Sequence, residues 1–432
     1  MKRVSVVSLV GIALAAINVV EAAEWKMEPS VTARTEYNDN PRLFPDESSP
    51  DGSAVYTLNP RLKLKADEFN DWDMSLDMNA KMTRYQDVED ADNNNIFLNF
   101  DSGSKTELTE WRLAAKLEEN TNFDTDFETK TPDAGLLLDD KTLRKTLSVT
   151  PSMQWSLSQT SFLSFNLSLS DVRFEEVRQT GLVDYEYDSA QLSYSMLLQE
   201  NHRLGLTGMY AEFDSPENKF SYDQTVFSID YTYTVNESSE VALSVGTRSI
   251  ESLVEDVTVA CSIPSLNIVE PIEEVSNTGE CPILPFAEVV PVIEDVTRKS
   301  DGTVVNLSYD YFYEAASLRI NGARSVIPSS FGGVQEENRL SVLANYKHTE
   351  RLSSDIKLSG SQTDTLNGVA SLNDRDQYQF QAGLLYKLTR DMSLKLVYNY
   401  IEQTIIEIDQ DSSSNAIMVN LYMQWPRLAT TY

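Results

Sequence analysis

Asn415-Ala416-Ile417-Met418-Val419-Asn420-Leu421-Tyr422-Met423-Gln424-Trp425 is the stretch that decides the fold. Ile417, Val419, Leu421, Met423 and Trp425 alternate with Met418, Asn420, Tyr422 and Gln424. Strand side chains point to opposite faces in turn, so one face is an apolar stripe ending in an aromatic ring. The same two-residue period recurs outward from this segment. Its cleanest copy is residues 72–83, where Trp72, Met74, Leu76, Met78, Ala80 and Met82 share a face. Alternation between turn residues predicts strands at 27–37, 56–66, 72–83, 95–101, 110–118, 146–157, 162–170, 189–199, 203–212, 225–235, 240–248, 304–313, 316–324, 339–348, 354–361, 377–388, 392–400 and 415–425.

Connection lengths carry the second half of the reading. Ser158-Gln159-Thr160, Glu200-Asn201-His202 and Thr389-Arg390-Asp391 are short, whereas 38–55, 119–145, 171–188, 249–303, 326–338 and 402–414 are long. Outer-membrane barrels join their strands by short periplasmic turns and longer external loops in alternation. A closed barrel also removes the unpaired edges that a membrane cannot tolerate. The expectation is an all-β fold, a transmembrane antiparallel β-barrel of about eighteen strands, in which the last strand pairs with the first. It drops to sixteen if 95–101 and 316–324 are not strands.

The N-terminus fits export. Met1-Lys2-Arg3 is basic, residues 4–20 are an apolar run, and Val20-Glu21-Ala22 offers a cleavage site. Residues 1–22 therefore read as a signal peptide and 23–432 as the barrel. No later segment has the roughly 20 consecutive apolar residues of a membrane helix. The 20 tyrosines suit interfacial girdles. A formal net charge of −32 excludes nucleic acid as a partner.

If the apolar set faces lipid, the alternate set lines the lumen. That parity turns Arg34, Arg61, Lys63, Lys65, Lys81, Arg112, Lys116, Arg248, Arg319, Arg339, Lys347, Lys357, Lys387 and Lys395 inward. Inward acids are fewer: Glu36, Asp73, Asp77, Asp101, Glu118, Asp230, Glu240, Asp310 and Asp355. The lumen is thus mildly basic within an acidic chain, and Ser, Asn and Gln fill much of the rest, as at Ser164, Asn166, Gln379, Gln381 and Asn399. Such a wall either draws in anionic solutes or is braced by ion pairs between neighbouring strands.

The negative charge belongs to the loops, above all the Pro-rich acidic segment 249–303, read as a long external loop. It holds both cysteines, Cys261 and Cys281, and an exported chain with one close pair is expected to join them in a disulfide. Neither His202 nor His348 has a neighbouring Ser or Asp arrangement in sequence that suggests a nucleophile and base, so no catalytic residue is expected. Acidic runs such as Asp87, Glu89, Asp90 and Asp92 lack a glycine-punctuated calcium loop, so neither metal nor cofactor is expected.

Pro29-Ser30-Val31, Glu36-Tyr37-Asn38-Asp39-Asn40 and the closing Trp425-Pro426-Arg427 look like outer-membrane barrels associated with exopolysaccharide synthesis and exosortase systems. The resemblance spans the mature chain, apart from the cysteine-bearing insertion and the tail at 428–432. It implies a conduit for secreted polysaccharide in the bacterial outer membrane, fed by a periplasmic export component. Membrane lipid, lipopolysaccharide and the barrel-assembly machinery would be its other partners. The residues alone leave two further readings open: a diffusion porin for small sugars or anionic solutes, and a surface receptor or adhesin working through its acidic loop.

Overall fold

The computed structural model describes residues 24–432 except 47–51, 70–71, 89–90, 122–141, 176–181, 216–219, 264–267, 272–287, 330–332, 367–373, 407–408, 426–427 and 432. For 24, 67–69, 254–263, 268–271, 288–295 and 428–431 it describes the backbone alone. The expected signal peptide, Cys281 and the Cys261 side chain lie outside the described residues.

Eighteen antiparallel strands form one closed barrel. The first, Glu24–Asn38, pairs with its sequence neighbour Ser53–Phe69 and also with the last barrel strand, Gln410–Gln424. That closing ladder runs from Ser30↔Gln424 to Asn38↔Ala416, and Leu428–Thr431 prolongs it against Glu24 to Met27. Every other wall contact joins strands consecutive in the barrel, so no hydrogen-bonding edge remains at membrane depth. The two segments with the weakest alternation are both strands, Asn93–Lys105 and Ala316–Ser329.

Parity follows the hydrophobic pattern. Glu36 is 7% exposed and Tyr37 beside it 60%, because the first points into the barrel and the second out of it. Ile417, Val419, Ile229, Leu192 and Leu243 are exposed on the outer face, where apolar area of this extent belongs against lipid. At the short-turn end Trp72 and Trp111 meet edge to face with centroids 4.6 Å apart, and the His202 ring stacks on Tyr233 at 4.8 Å. Amphipathic rings at this level mark the membrane interface. The protein is an outer-membrane β-barrel, and its place is the bacterial outer membrane.

At the long-loop end the strands run further than alternation suggests. The ladder between Ser239–Ile263 and Glu288–Tyr313 continues to Ser262↔Glu288, so much of 249–303 is paired strand rather than loop. Charged and proline residues hide it in the sequence, because beyond the membrane neither face needs to be apolar. Of residues 326–338, also read as loop, 326–329 and 333–338 are strand.

The wall is doubled here. Pairing between Glu288–Tyr313 and Ala316–Ser329 stops at Val305↔Arg324, although each strand continues along its other neighbour. Past that break Val326 and Val334 lie on the parity that faces lipid lower down, yet they are buried with Phe213, Tyr222 and Ile250. Those three belong to the inward parity of the opposing wall. An outer face can meet an inner face only if one layer slips behind the other. The strand ends that carry Val326 and Val334 therefore sit inside the barrel, against the wall of His202–Ser215, Phe220–Asn236 and Ser239–Ile263.

Candidate functional site: the lumen

The inward face is built strand by strand from the register. Eight of the basic residues expected to line the lumen are neutralised by neighbours, Lys65 by Glu28 at 3.3 Å and Arg248 by Glu336 among them. Arg34 pairs with Glu36, and Arg61 donates to Asp77 through Nε at 2.8 Å. Arg112 reaches Glu110 at 3.2 Å, and Lys116 reaches Glu118 at 2.5 Å. Arg319 pairs with Asp310 at 2.5 Å and Lys395 with Asp355 at 3.0 Å. Lys63, Arg339, Lys347, Lys357 and Lys387 form no ion pair among the described residues. Lys63 shows why: its register partners are Asp77 and Glu28, which are taken by Arg61 and Lys65. Lys81 lines the cavity described below.

Glycine decides where a pair can cross a strand. Lys395 and Asp355 lie on either side of Arg375–Lys387, and they meet over Gly383. A Cβ at Gly383 would stand 2.6 Å from Asp355 Oδ1 and 2.7 Å from Lys395 Cε. Gly302 lets the Arg248 guanidinium lie across Glu288–Tyr313 in the same way, since a Cβ there would stand 2.7 Å from Cζ. Gly383→Val should therefore part the Asp355–Lys395 pair and overpack the wall. The expected cost is about 1–3 kcal/mol, read from urea unfolding in lipid vesicles.

Between the free cations runs a track of neutral donors and acceptors. Asn399, Gln381 and Lys357 are successive register partners, as are Gln377, Ser361 and Arg339. Gln379 Nε2 donates to Asn399 Oδ1 at 3.0 Å, and Ser359 Oγ donates to Gln379 Oε1 at 3.3 Å. Beside the closing ladder this track opens into a cavity of about 210 Å³ lined by Arg34, Lys81, Gln381, Lys395, Asn399 and Asn420. Val397 and Met418 give it an apolar patch. At about 30 Å³ per water, the space holds roughly seven waters or one small solute.

These inner strand ends narrow the mouth. Glu336 accepts from Arg248 across the overlap and from Arg324 on its own hairpin at 2.5 Å. Arg248 is 4% exposed, and its Nε and Nη1 have no partner. Asp364, level with Glu336 on the next strand, sits above the membrane band. Burial pushes its carboxyl up, helped by Asp374, Glu336 and Asp376. A raised carboxylate favours the folded state while protonated and opposes it once ionised, so the seating should loosen as pH rises past the ordinary carboxylate range. Asp364→Asn is expected to abolish that dependence, measured as channel conductance against pH.

Sequence reasoning missed this second layer, and with it Arg248, Arg324 and Glu336 as one cluster. The available signal was the loss of alternation after Gly322, where apolar Val326 falls between Ser325 and Ile327.

No family model matches the chain and no curated protein matches it, so the likeness to polysaccharide-associated barrels is carried by its own residues alone. Solved structures with similar overall shape include the Escherichia coli K12 ferric-catecholate import receptor Fiu in its open form. It is 9% identical with a TM-score of 0.47, over 92% of this chain and 81% of that one. Pseudomonas aeruginosa OpdK with vanillate is 11% identical with a TM-score of 0.43, over 92% and 99%. OccK2 of the same organism, in complex with glucuronate, is 11% identical with a TM-score of 0.44, over 93% and 98%.

Proposed function

We propose that the protein is a passive channel for small hydroxylated and anionic solutes, working without chemistry of its own. The observation that carries this reading is the lumen's charge after pairing. Lys63, Arg339, Lys347, Lys357 and Lys387 remain unneutralised beside an amide and hydroxyl track, and they outnumber the inward acids without an ion pair among the described residues, Asp73, Asp230 and Glu240. A wall with net positive charge concentrates anions, and neutral donors and acceptors can exchange their water for the hydroxyls of a sugar. The narrowed mouth favours single small solutes over a polymer.

The polymer conduit implied by the resemblance uses the same track, and it is the reading to test against. In a deletion strain, extracellular polysaccharide and uptake of a small sugar acid are measured together. Reduced uptake with normal polysaccharide supports the solute channel. Lost polysaccharide with normal uptake overturns it in favour of export. Purified protein in planar bilayers should conduct with anion preference, and a closed or strongly cation-selective pore would refute the reading.

A further inference from the structure

We propose that the described strand ends past Val305↔Arg324, in Ala316–Ser329 and Gly333–Lys347, are the size filter of the lumen, a displaceable inner layer latched to the wall by Glu336. The inference rests on the channel reading and adds what sets its cutoff. This layer is held differently from the rest of the barrel. On the side of Glu288–Tyr313 it has no ladder beyond Val305↔Arg324. Its attachment there is by side chains: Val326 and Val334 in the apolar cluster, and Glu336 on Arg248. On the other side its ladder with Leu352–Thr365 runs on to Gln335↔Thr365. A layer anchored along one edge and packed along the other can swing without breaking the wall.

The latch is charged at its centre. One carboxylate serves two guanidinium groups, and the buried one has two nitrogens without partners. Removing the carboxylate leaves two cations facing each other, one of them buried, which water can relieve only if the layers part. Breaking one partner of a buried pair shifts such an equilibrium by on the order of a hundredfold. Nothing on the lipid side is altered, so the barrel itself should stay closed.

The test uses full-length protein in liposomes, with entry of a monosaccharide and of a tetrasaccharide followed by swelling. Folding is checked by the heat-dependent gel shift of a closed barrel. Wild type is expected to pass the first sugar and exclude the second, and Glu336→Gln to pass both. Val334→Asp, which puts a charge into the apolar seat, should act alike and serves if the first variant fails to fold. Joining Ile250→Cys to Val326→Cys with a bismaleimide, in Glu336→Gln protein whose two own cysteines are serine, should restore exclusion. Folded Glu336→Gln and Val334→Asp that still exclude the tetrasaccharide would overturn the filter, as would a wild type that admits it. If no protein passes even the monosaccharide, the channel reading itself falls, and the filter falls with it.

Discussion

Val419→Arg should destabilise the barrel by about 2–4 kcal/mol, whereas Asn420→Arg, one residue along, should leave its stability nearly unchanged. Val419 lies on the outer face of the closing strand, opposite Thr35 on one side and Leu396 on the other. A guanidinium there has only acyl chains around it, and at mid-membrane depth it can neither hydrate nor find a counter-ion. Asn420 faces the lumen between Arg34 and Lys395, where an added cation meets repulsion but stays in water. Urea titration in lipid vesicles, read by the heat-dependent gel shift, measures both. Equal losses at the two positions would contradict the assignment of faces on which the membrane reading stands.

The second large effect concerns ion preference. Converting Arg339 and Lys357 together to Glu replaces two unpaired cations with two anions on adjacent inward faces. The pore is expected to change from anion- to cation-selective, by on the order of tenfold in permeability ratio. The reversal potential across a salt gradient reports it. The control removes a pair instead: Asp355→Asn with Lys395→Gln deletes one charge of each sign and should leave the reversal potential where it was. A shift of equal size in both variants would mean that wall geometry, not net charge, sets the preference.

The barrel was legible in the sequence because lipid imposes one demand on every strand. Trp72 to Met82 alternates strictly for that reason, Ile417 to Trp425 keeps an unbroken apolar outer face, and Glu36 beside Tyr37 separates the two faces within a single step. Outside the membrane the demand lapses, and the reading weakened there. The ladder up to Ser262↔Glu288 is held by backbone hydrogen bonds, to which side-chain polarity is a poor guide. The inward turn of the hairpin was beyond reach for a different reason. Val326 and Val334 keep their parity, and what changes is the surface that parity meets, a long-range fact with no local mark. Pairing in the lumen was half legible. Parity gave the charges, but which cation is neutralised depends on register and on glycines such as Gly383, whose missing side chains open the crossing.

The seam between the first and last strands has a consequence for the rate at which the barrel forms. Ser414 donates to Asn38 at 2.8 Å, Asn415 to Asp39 at 2.6 Å and Asn40 to the carbonyl of Ser413 at 2.9 Å, across some 373 to 376 residues. Every other ladder in the wall is a hairpin between strands that follow one another, and such hairpins close within microseconds. Joining ends this far apart costs about 5 kcal/mol in chain entropy before a single seam bond is made. Closure is therefore expected to come last, and until it happens Glu24–Asn38 and Gln410–Gln424 each present an open row of donors and acceptors. The Asp39, Asn40 and Asp46 contacts to Ser413 and Asn415 form only on the assembled seam. Contacts made only on the closed seam are expected to form after the transition state, and the expected result is that their loss speeds the opening of the barrel far more than it slows its assembly.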